Sequence, residues 1–300
     1  MKRASLLISV LLSFVVILSG CGGFTDGDAT LNGENPDTPY YETVNDVPEF
    51  DGETPFVPIK GNVPDFSEGD LVTDSYEKYS ELDELGRCSV VMACVGVDIM
   101  PTEDRGSIGQ VKPSGWQTVK YDIVDGKYLY NRCHLIGFQL TGENANTKNL
   151  ITGTRYLNIE GMLPFENMIA DYVKETENHV IYRVTPIFDG SNLVARGVQM
   201  EAKSVEDNGE GILFNVYAYN SQPGISINYF NGASVLGEGV VFDNSNASEV
   251  KYILNTNSKK FHTAACKSAE GIGEKNKKVS YDTREALINQ GYTPCKSCNP

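Results

Sequence analysis

Near the C-terminus, His262, Cys266, Cys295 and Cys298 stand in the order H-x3-C, 28 intervening residues, C-x2-C. No other feature of the chain constrains folding as tightly. Four ligands at these local spacings fit one tetrahedral Zn²⁺ and would hold both ends of residues 262–298 together. Three cysteines cannot pair off, so a disulfide, which an extracellular setting would favour, leaves one thiol over and is the alternative. Cys88, Cys94 and Cys133 read as buried thiols of a separate domain. On one straight strand Cys88 and Cys94 would lie ~20 Å apart, too far to bridge.

The other end opens with Lys2 and Arg3, an apolar run from Leu6 to Leu18, and Leu18-Ser19-Gly20-Cys21. A run this short does not span a bilayer as a helix but has the layout of a secretory signal. Its last four residues resemble the lipobox of bacterial lipoproteins. The resemblance implies a signal peptide over residues 1–20, a lipid on Cys21, and tethering to the extracellular face of the membrane. A cleaved signal with an incidental cysteine is the plainer alternative.

Charge is unevenly spread. The net value of −15 argues against a polyanionic partner until it is divided. Residues 22–85 carry seventeen acidic side chains against Lys60 and Lys78; residues 250–300 carry nine basic against four acidic. The Gly-, Pro- and Thr-rich stretch 21–57 therefore reads as an acidic disordered linker. A main domain follows over 58–225, then a linker over 226–247 and a basic module over 248–300.

Within the main domain, "RCSVVMACVGVDI" (87–99) fits a buried strand. "LPFENMIADYVKET" (163–176) places Phe165, Ile169, Tyr172 and Val173 on one helical face. "HVIYRVTPIF" and "LVARGVQMEAKSV" flank the turn "DGSN" as a β-hairpin, and "GILFNVYAYN" adds a strand. The class is α+β with strands dominating.

His134, in "YNRCHLIGFQL", is one of only three histidines. Within about thirty residues of it, the chain reads "NLITGTRYLNIEGMLPFE". Together, "NRCH" and this segment resemble the DNA/RNA non-specific endonucleases, enzymes with the ββα-metal (His-Me) finger and a mainly antiparallel sheet. The likeness covers roughly residues 86–220. It implies His134 as general base, Arg132 as a phosphate-contacting arginine, Asn149 as a polar residue near the site, Asn158 as the single protein ligand of Mg²⁺, and Glu166 as the carboxylate orienting water on that ion. Asn131 and Cys133 depart from the family's "DRGH", where Asp and Gly are common.

The chemistry asks for the same residue types. Phosphodiester hydrolysis needs a base for the attacking water and positive charge on the oxyanions. His titrates near neutrality, Mg²⁺ prefers oxygen ligands, and Arg132, Arg155 or Arg105 could fork onto phosphate. Each residue also has a plainer role: Asn158 could cap a helix beginning near Gly161, Glu166 could favour that helix's first turn, Arg155 and Arg105 could be surface arginines, and His179 could be structural. A Cys133–His134 nucleophilic pair fails, because neighbours on a strand point to opposite faces.

Residues 255–300 resemble the small zinc domain of the Ada DNA-repair protein. Because one ligand here is His262, the likeness implies a structural zinc module rather than methyl transfer. The expectation for the whole chain is a lipid-anchored, Mg²⁺-dependent endonuclease acting on DNA, and on RNA as a further substrate, with a C-terminal zinc module. The alternative is a surface nucleic-acid-binding lipoprotein with weak or no cleavage.

Overall fold

The computed structural model describes residues 39–242, 252–264, 266–280 and 284–300. The expected signal peptide, residues 1–20, and the expected lipidation site Cys21 lie outside the described residues. Among the described residues, no helix is long and apolar enough to cross a membrane.

A six-stranded antiparallel sheet forms the scaffold. Its strands are β1 (Phe56–Pro58), β2 (Tyr76–Tyr79), β3 (Val91–Val95), β6 (Val180–Ile187), β7 (Gly197–Ser204) and β8 (Leu213–Tyr219), in the order β1-β8-β7-β6-β3-β2. The hairpin β6–β7 runs in full register from Val180↔Ser204 to Ile187↔Gly197, as the "DGSN" turn predicts. Only Val91–Val95 of the expected 87–99 strand is extended and paired, with β2 on one side and β6 on the other.

Between β3 and β6 the chain makes a separate two-stranded ribbon, β4 (Tyr130–His134) and β5 (Leu150–Thr154), with the short helix α1 (Phe138–Thr141) in its connection. A widened π-helical turn, Leu157–Met162, then runs into α2 (Leu163–Thr176). Strand, strand and helix make a ββα unit. The α2 side chains Phe165, Ile169, Ala170 and Val173 pack with Val91, Tyr182, Met200, Phe214, Val216 and Ala218 on one face of the sheet. Burying a side chain of this size is worth about 1.5–3 kcal/mol, so this apolar seam fixes how the ββα unit sits on the scaffold. Tyr172 lies at its edge, donating through its hydroxyl to Asp207 at 2.8 Å.

The opposite face of the sheet is covered by a segment that the composition places in the disordered linker. Because side chains alternate along β8, Tyr217 and Tyr219 point away from Val216 and Ala218. They pack with Val47 and Ile59, joined by Tyr41, Val44 and Phe50. Tyr219 N–H donates to the Pro55 carbonyl at 3.0 Å, and Arg196 donates to the Val44 carbonyl at 2.6 Å. Residues 40–57 are therefore ordered: a few well-spaced apolar side chains outweigh the acidic composition. The second expected linker is likewise structured at its start. Strands β9 (Ile225–Ile227) and β10 (Ser234–Leu236) pair, and Ile225 packs with Val124, Leu129 and Tyr130.

The C-terminal module is a second sheet, ordered β13-β11-β12-β14, made of β11 (Tyr252–Asn255), β12 (Lys260–Thr263), β13 (Lys277–Ser280) and β14 (Thr293–Pro294), with helices α3 (Lys267–Glu270) and α4 (Arg284–Asn289). Its small core comprises Tyr252, Leu254, Phe261, Leu287 and Tyr292.

Candidate active site and metal-ligand cluster

The ββα unit carries the candidate site. Thr154, at the end of β5, starts the helical turn: its Oγ1 accepts the Leu157 N–H at 2.9 Å. Thr154 is in turn tied to the scaffold by Asn220, whose Oδ1 accepts the Thr154 N–H at 2.8 Å and whose Nδ2 donates to the Thr152 and Ala195 carbonyls. Asn158 thus lies inside the widened turn rather than at a helix N-terminus, so the capping role open to it from sequence falls away. π-turns of this kind are frequent at functional sites because the bulge re-aims a side chain.

His134 ends β4 and is buried. Its Nε2 lies 2.7 Å from the Asn144 carbonyl oxygen, and its Nδ1 lies 3.1 Å from Arg105 Nη2. A carbonyl can only accept and a guanidinium can only donate, so these partners assign the tautomer: Nε2 carries the proton and Nδ1 the lone pair. Burial, reinforced by the Arg105 charge, pushes the His134 pKa down to about 4 against the opposing pull of the Asn144 carbonyl. At neutral pH the ring is uncharged, with its basic nitrogen toward the pocket side.

Glu166 comes from the first turn of α2. Burial raises its pKa to about 7, opposed by a hydrogen bond from the Gly137 backbone and by Arg105. Gly137 makes room for the carboxylate: a Cβ there would sit 2.6 Å from Glu166 Oε2. Arg105, His134, Asn158 and Glu166 line one open pocket of about 240 Å³, with Phe138 and Met162 as apolar walls. Beyond Phe138 a larger recess of about 470 Å³ is bordered by Thr102, Glu103, Asp104 and Asn144.

The other expected site residues are placed differently. Arg132 does not line the pocket: it donates to the Val111 carbonyl and, at 2.8 Å, to the Gly109 carbonyl, and stacks 4.1 Å over Trp116. It clasps the loop 109–116. Arg155 pairs with Asp125 at 2.7 Å and likewise lies outside the pocket lining. Asn149 is fully buried. Its side chain exchanges two 2.9 Å hydrogen bonds with the Ile136 backbone, which holds the turn that follows His134. His179 pairs with Glu206 at 2.6 Å, away from these residues. Cys133 is wholly buried, and burial pushes its thiol pKa well up, so it stays protonated and donates to Asn158 Oδ1 at 3.1 Å.

Sequence reasoning passes over Asn144, which acts through its backbone carbonyl and leaves no side-chain signature. Gly137 is also passed over, although a glycine three residues after the histidine is the available signal.

In the C-terminal module the ligand atoms of His262, Cys266, Cys295 and Cys298 all lie within 4.8 Å of one another. Backbone N–H groups of Thr263 and Ser297 donate to Cys298 and Cys295 sulfurs at 3.5 and 3.4 Å, which suits thiolate charge. Cys88, Cys94, Cys133, Cys266, Cys295 and Cys298 are all free thiols. The disulfide alternative is not realised here.

Residues 69–206 match the DNA/RNA non-specific endonuclease family. A deoxyribonuclease of Streptococcus dysgalactiae subsp. equisimilis is 31% identical over 111 residues, covering 35% of this chain and 32% of that protein. The chain thus spans about a third of the length of that relative. NucA from Streptococcus agalactiae, solved with magnesium bound, superposes with a TM-score of 0.53 at 24% identity, covering 60% of this chain and 86% of NucA. The metal-free form of NucA gives 0.52 at 25% identity, covering 59% and 85%. The mainly antiparallel α+β fold is shared with these neighbours, and residues 69–206 are the part of the chain that is similar to the DNA/RNA non-specific endonucleases.

Proposed function

We propose that the chain is an extracellular, lipid-anchored endonuclease that hydrolyses phosphodiester bonds of DNA, and of RNA as a further substrate, using Mg²⁺ at the ββα site. One observation carries this reading: a neutral His134, whose Nδ1 accepts from Arg105, lines the same pocket as Arg105, Asn158 and Glu166. His134 takes the proton of the attacking water, while Nε2–H, held by the Asn144 carbonyl, keeps the ring in place. Arg105 moves from Nδ1 to a phosphate oxygen when substrate enters, freeing the base and neutralising the scissile group.

The residues present fit a hard divalent cation. Asn158 Oδ1 and the Glu166 carboxylate are oxygen donors in one pocket, and the Gly137 cradle admits the carboxylate where a Cβ would exclude it. When bound there, Mg²⁺ supplies positive charge to the phosphate oxygens and the departing 3′ oxygen. Asn158 would hold it directly and Glu166 would orient the surrounding waters. The named activity of the streptococcal deoxyribonuclease supports DNA as substrate. The lipobox-like Cys21 supports the anchor, and the cluster of one histidine and three cysteines supports structural Zn²⁺ in an Ada-like terminal module.

Commitment of Arg132 to loop carbonyls, and Cys133 in place of the family's glycine, favour one rival: a surface nucleic-acid-binding lipoprotein with weak or no cleavage. Incubating supercoiled plasmid with the protein and Mg²⁺, with and without EDTA, separates the two. Nicking that EDTA abolishes supports the enzyme; binding without nicking supports the rival.

A further inference from the structure

The C-terminal module touches the main domain at the loop that leads into the active site. Lys112 is held at both ends: its Nζ donates to the Ser297 carbonyl, and its own carbonyl accepts from Asn299 Nδ2 at 3.1 Å. Ser297 lies between the ligand cysteines Cys295 and Cys298, and Asn299 N–H donates back to the Cys295 carbonyl at 2.8 Å. The groups that grip Lys112 therefore belong to the Cys-x2-Cys turn itself. A second contact flanks the first. Arg284 donates to the Glu84 carbonyl at 2.7 Å and to the Pro300 carbonyl at 2.8 Å.

On the other side of Lys112 the same loop is gripped by the nuclease finger. Arg132, two residues before His134 on β4, donates to the Val111 and Gly109 carbonyls and stacks on Trp116. Arg105, the partner of His134 Nδ1, lies seven positions before Lys112 in this segment, of which no part forms a strand or helix. An irregular segment has few intrinsic hydrogen bonds to hold its course, so its order depends on such clamps.

We infer that the Cys-x2-Cys turn of the C-terminal module is a positioning element of the nuclease site, clamping residues 105–116 so that the loop stays on Arg132 of β4 and Arg105 stays at His134. Lys112 and Asn299 are positioning residues, and the metal-ligand turn and the catalytic pocket are coupled through one loop. The coupling to turnover rests on the endonuclease reading above; the clamp itself does not.

The test uses the full chain as wild type and as Asn299→Ala and Lys112→Ala variants. Amide hydrogen exchange is followed at Val111 and Trp116, whose N–H groups close turns within the loop. Zinc content and the kcat and KM for DNA are measured alongside. Either variant should retain wild-type zinc, raise exchange across 105–116 severalfold, leave β6–β8 protected, and lower kcat more than it raises KM. Stripping Zn²⁺ from the wild-type chain should raise exchange in the same loop. Unchanged exchange at Val111 and Trp116 in both variants and after zinc removal overturns the clamp. Because exchange is read without turnover, an inactive wild type would sink the nuclease reading and leave this result standing.

Discussion

The Cys133 thiol donates to Asn158 Oδ1 across 3.1 Å, joining the end of strand β4 to the widened turn that carries the proposed metal ligand. Gly153 on the facing strand makes the space: a Cβ there would sit 2.6 Å from Cys133 Cβ. The cysteine, standing where glycine is common in the endonucleases the chain resembles, is thus matched by a glycine diagonally across the ribbon, and it holds the amide oxygen that Mg²⁺ would use.

Cys133→Ala should remove that hold. A hydrogen bond worth about 0.5–1.5 kcal/mol corresponds to a roughly two- to tenfold rise in the Mg²⁺ concentration for half-maximal cleavage. Cys133→Ser should restore it. Gly153→Ala should lower stability by about 1–3 kcal/mol through overpacking, and Cys133→Gly in the same chain should recover most of that. Magnesium titrations and thermal melts check both; identical Mg²⁺ curves for the Ala and Ser variants would count against the hold.

The two buried titratable groups predict opposite responses to pH. His134 is depressed to about 4 from 6.5, so the stability of keeping it neutral is present above pH 6.5 and lost as pH falls through 4. Glu166 is raised to about 7 from 4.5, so its ionised form costs stability above pH 7, and the cost is relieved as pH falls toward 4.5. The acid limb of kcat/KM should therefore follow Glu166, lie near pH 7 at low Mg²⁺, and move to lower pH as Mg²⁺ rises, because a cation on Asn158 would favour the ionised form of the neighbouring carboxylate. A limb that stays put as Mg²⁺ rises and persists in Glu166→Gln would assign it elsewhere.

Arg105→Ala should weaken capture of DNA and reduce the slope of log(kcat/KM) against log salt by about one, the signature of one lost phosphate contact. Arg155→Ala, already paired with Asp125, should leave the slope unchanged. Equal slopes for Arg105→Ala and wild type would remove Arg105 from the phosphate.

The parts of this site legible in the sequence are those with a local signature. The helical face of α2, the β6–β7 turn, and the spacing of His134, Asn158 and Glu166 are all read within a short window of chain. What escaped depends on partners far away in sequence. Arg132 is spent on the carbonyls of Gly109 and Val111, and Asn144 acts through its backbone. Residues 40–57 gain order from distant partners such as Tyr217, Tyr219 and Arg196, far along the main domain, so composition alone read them as a linker.

Cys21→Ala should block lipidation and leave the protein unprocessed or released into the medium. Fractionation of membranes and culture supernatant checks this; unchanged membrane association of a mature protein would remove the anchor from Cys21.

The proposed hydrolysis stands on His134 as the base. Single-turnover cleavage of DNA by His134→Ala, at saturating Mg²⁺ and with binding measured separately, isolates that role. A loss of about 10²- to 10⁴-fold in rate is expected, with DNA affinity retained and the fold intact by thermal melting. Near wild-type turnover in a folded His134→Ala protein would show that another group takes the proton.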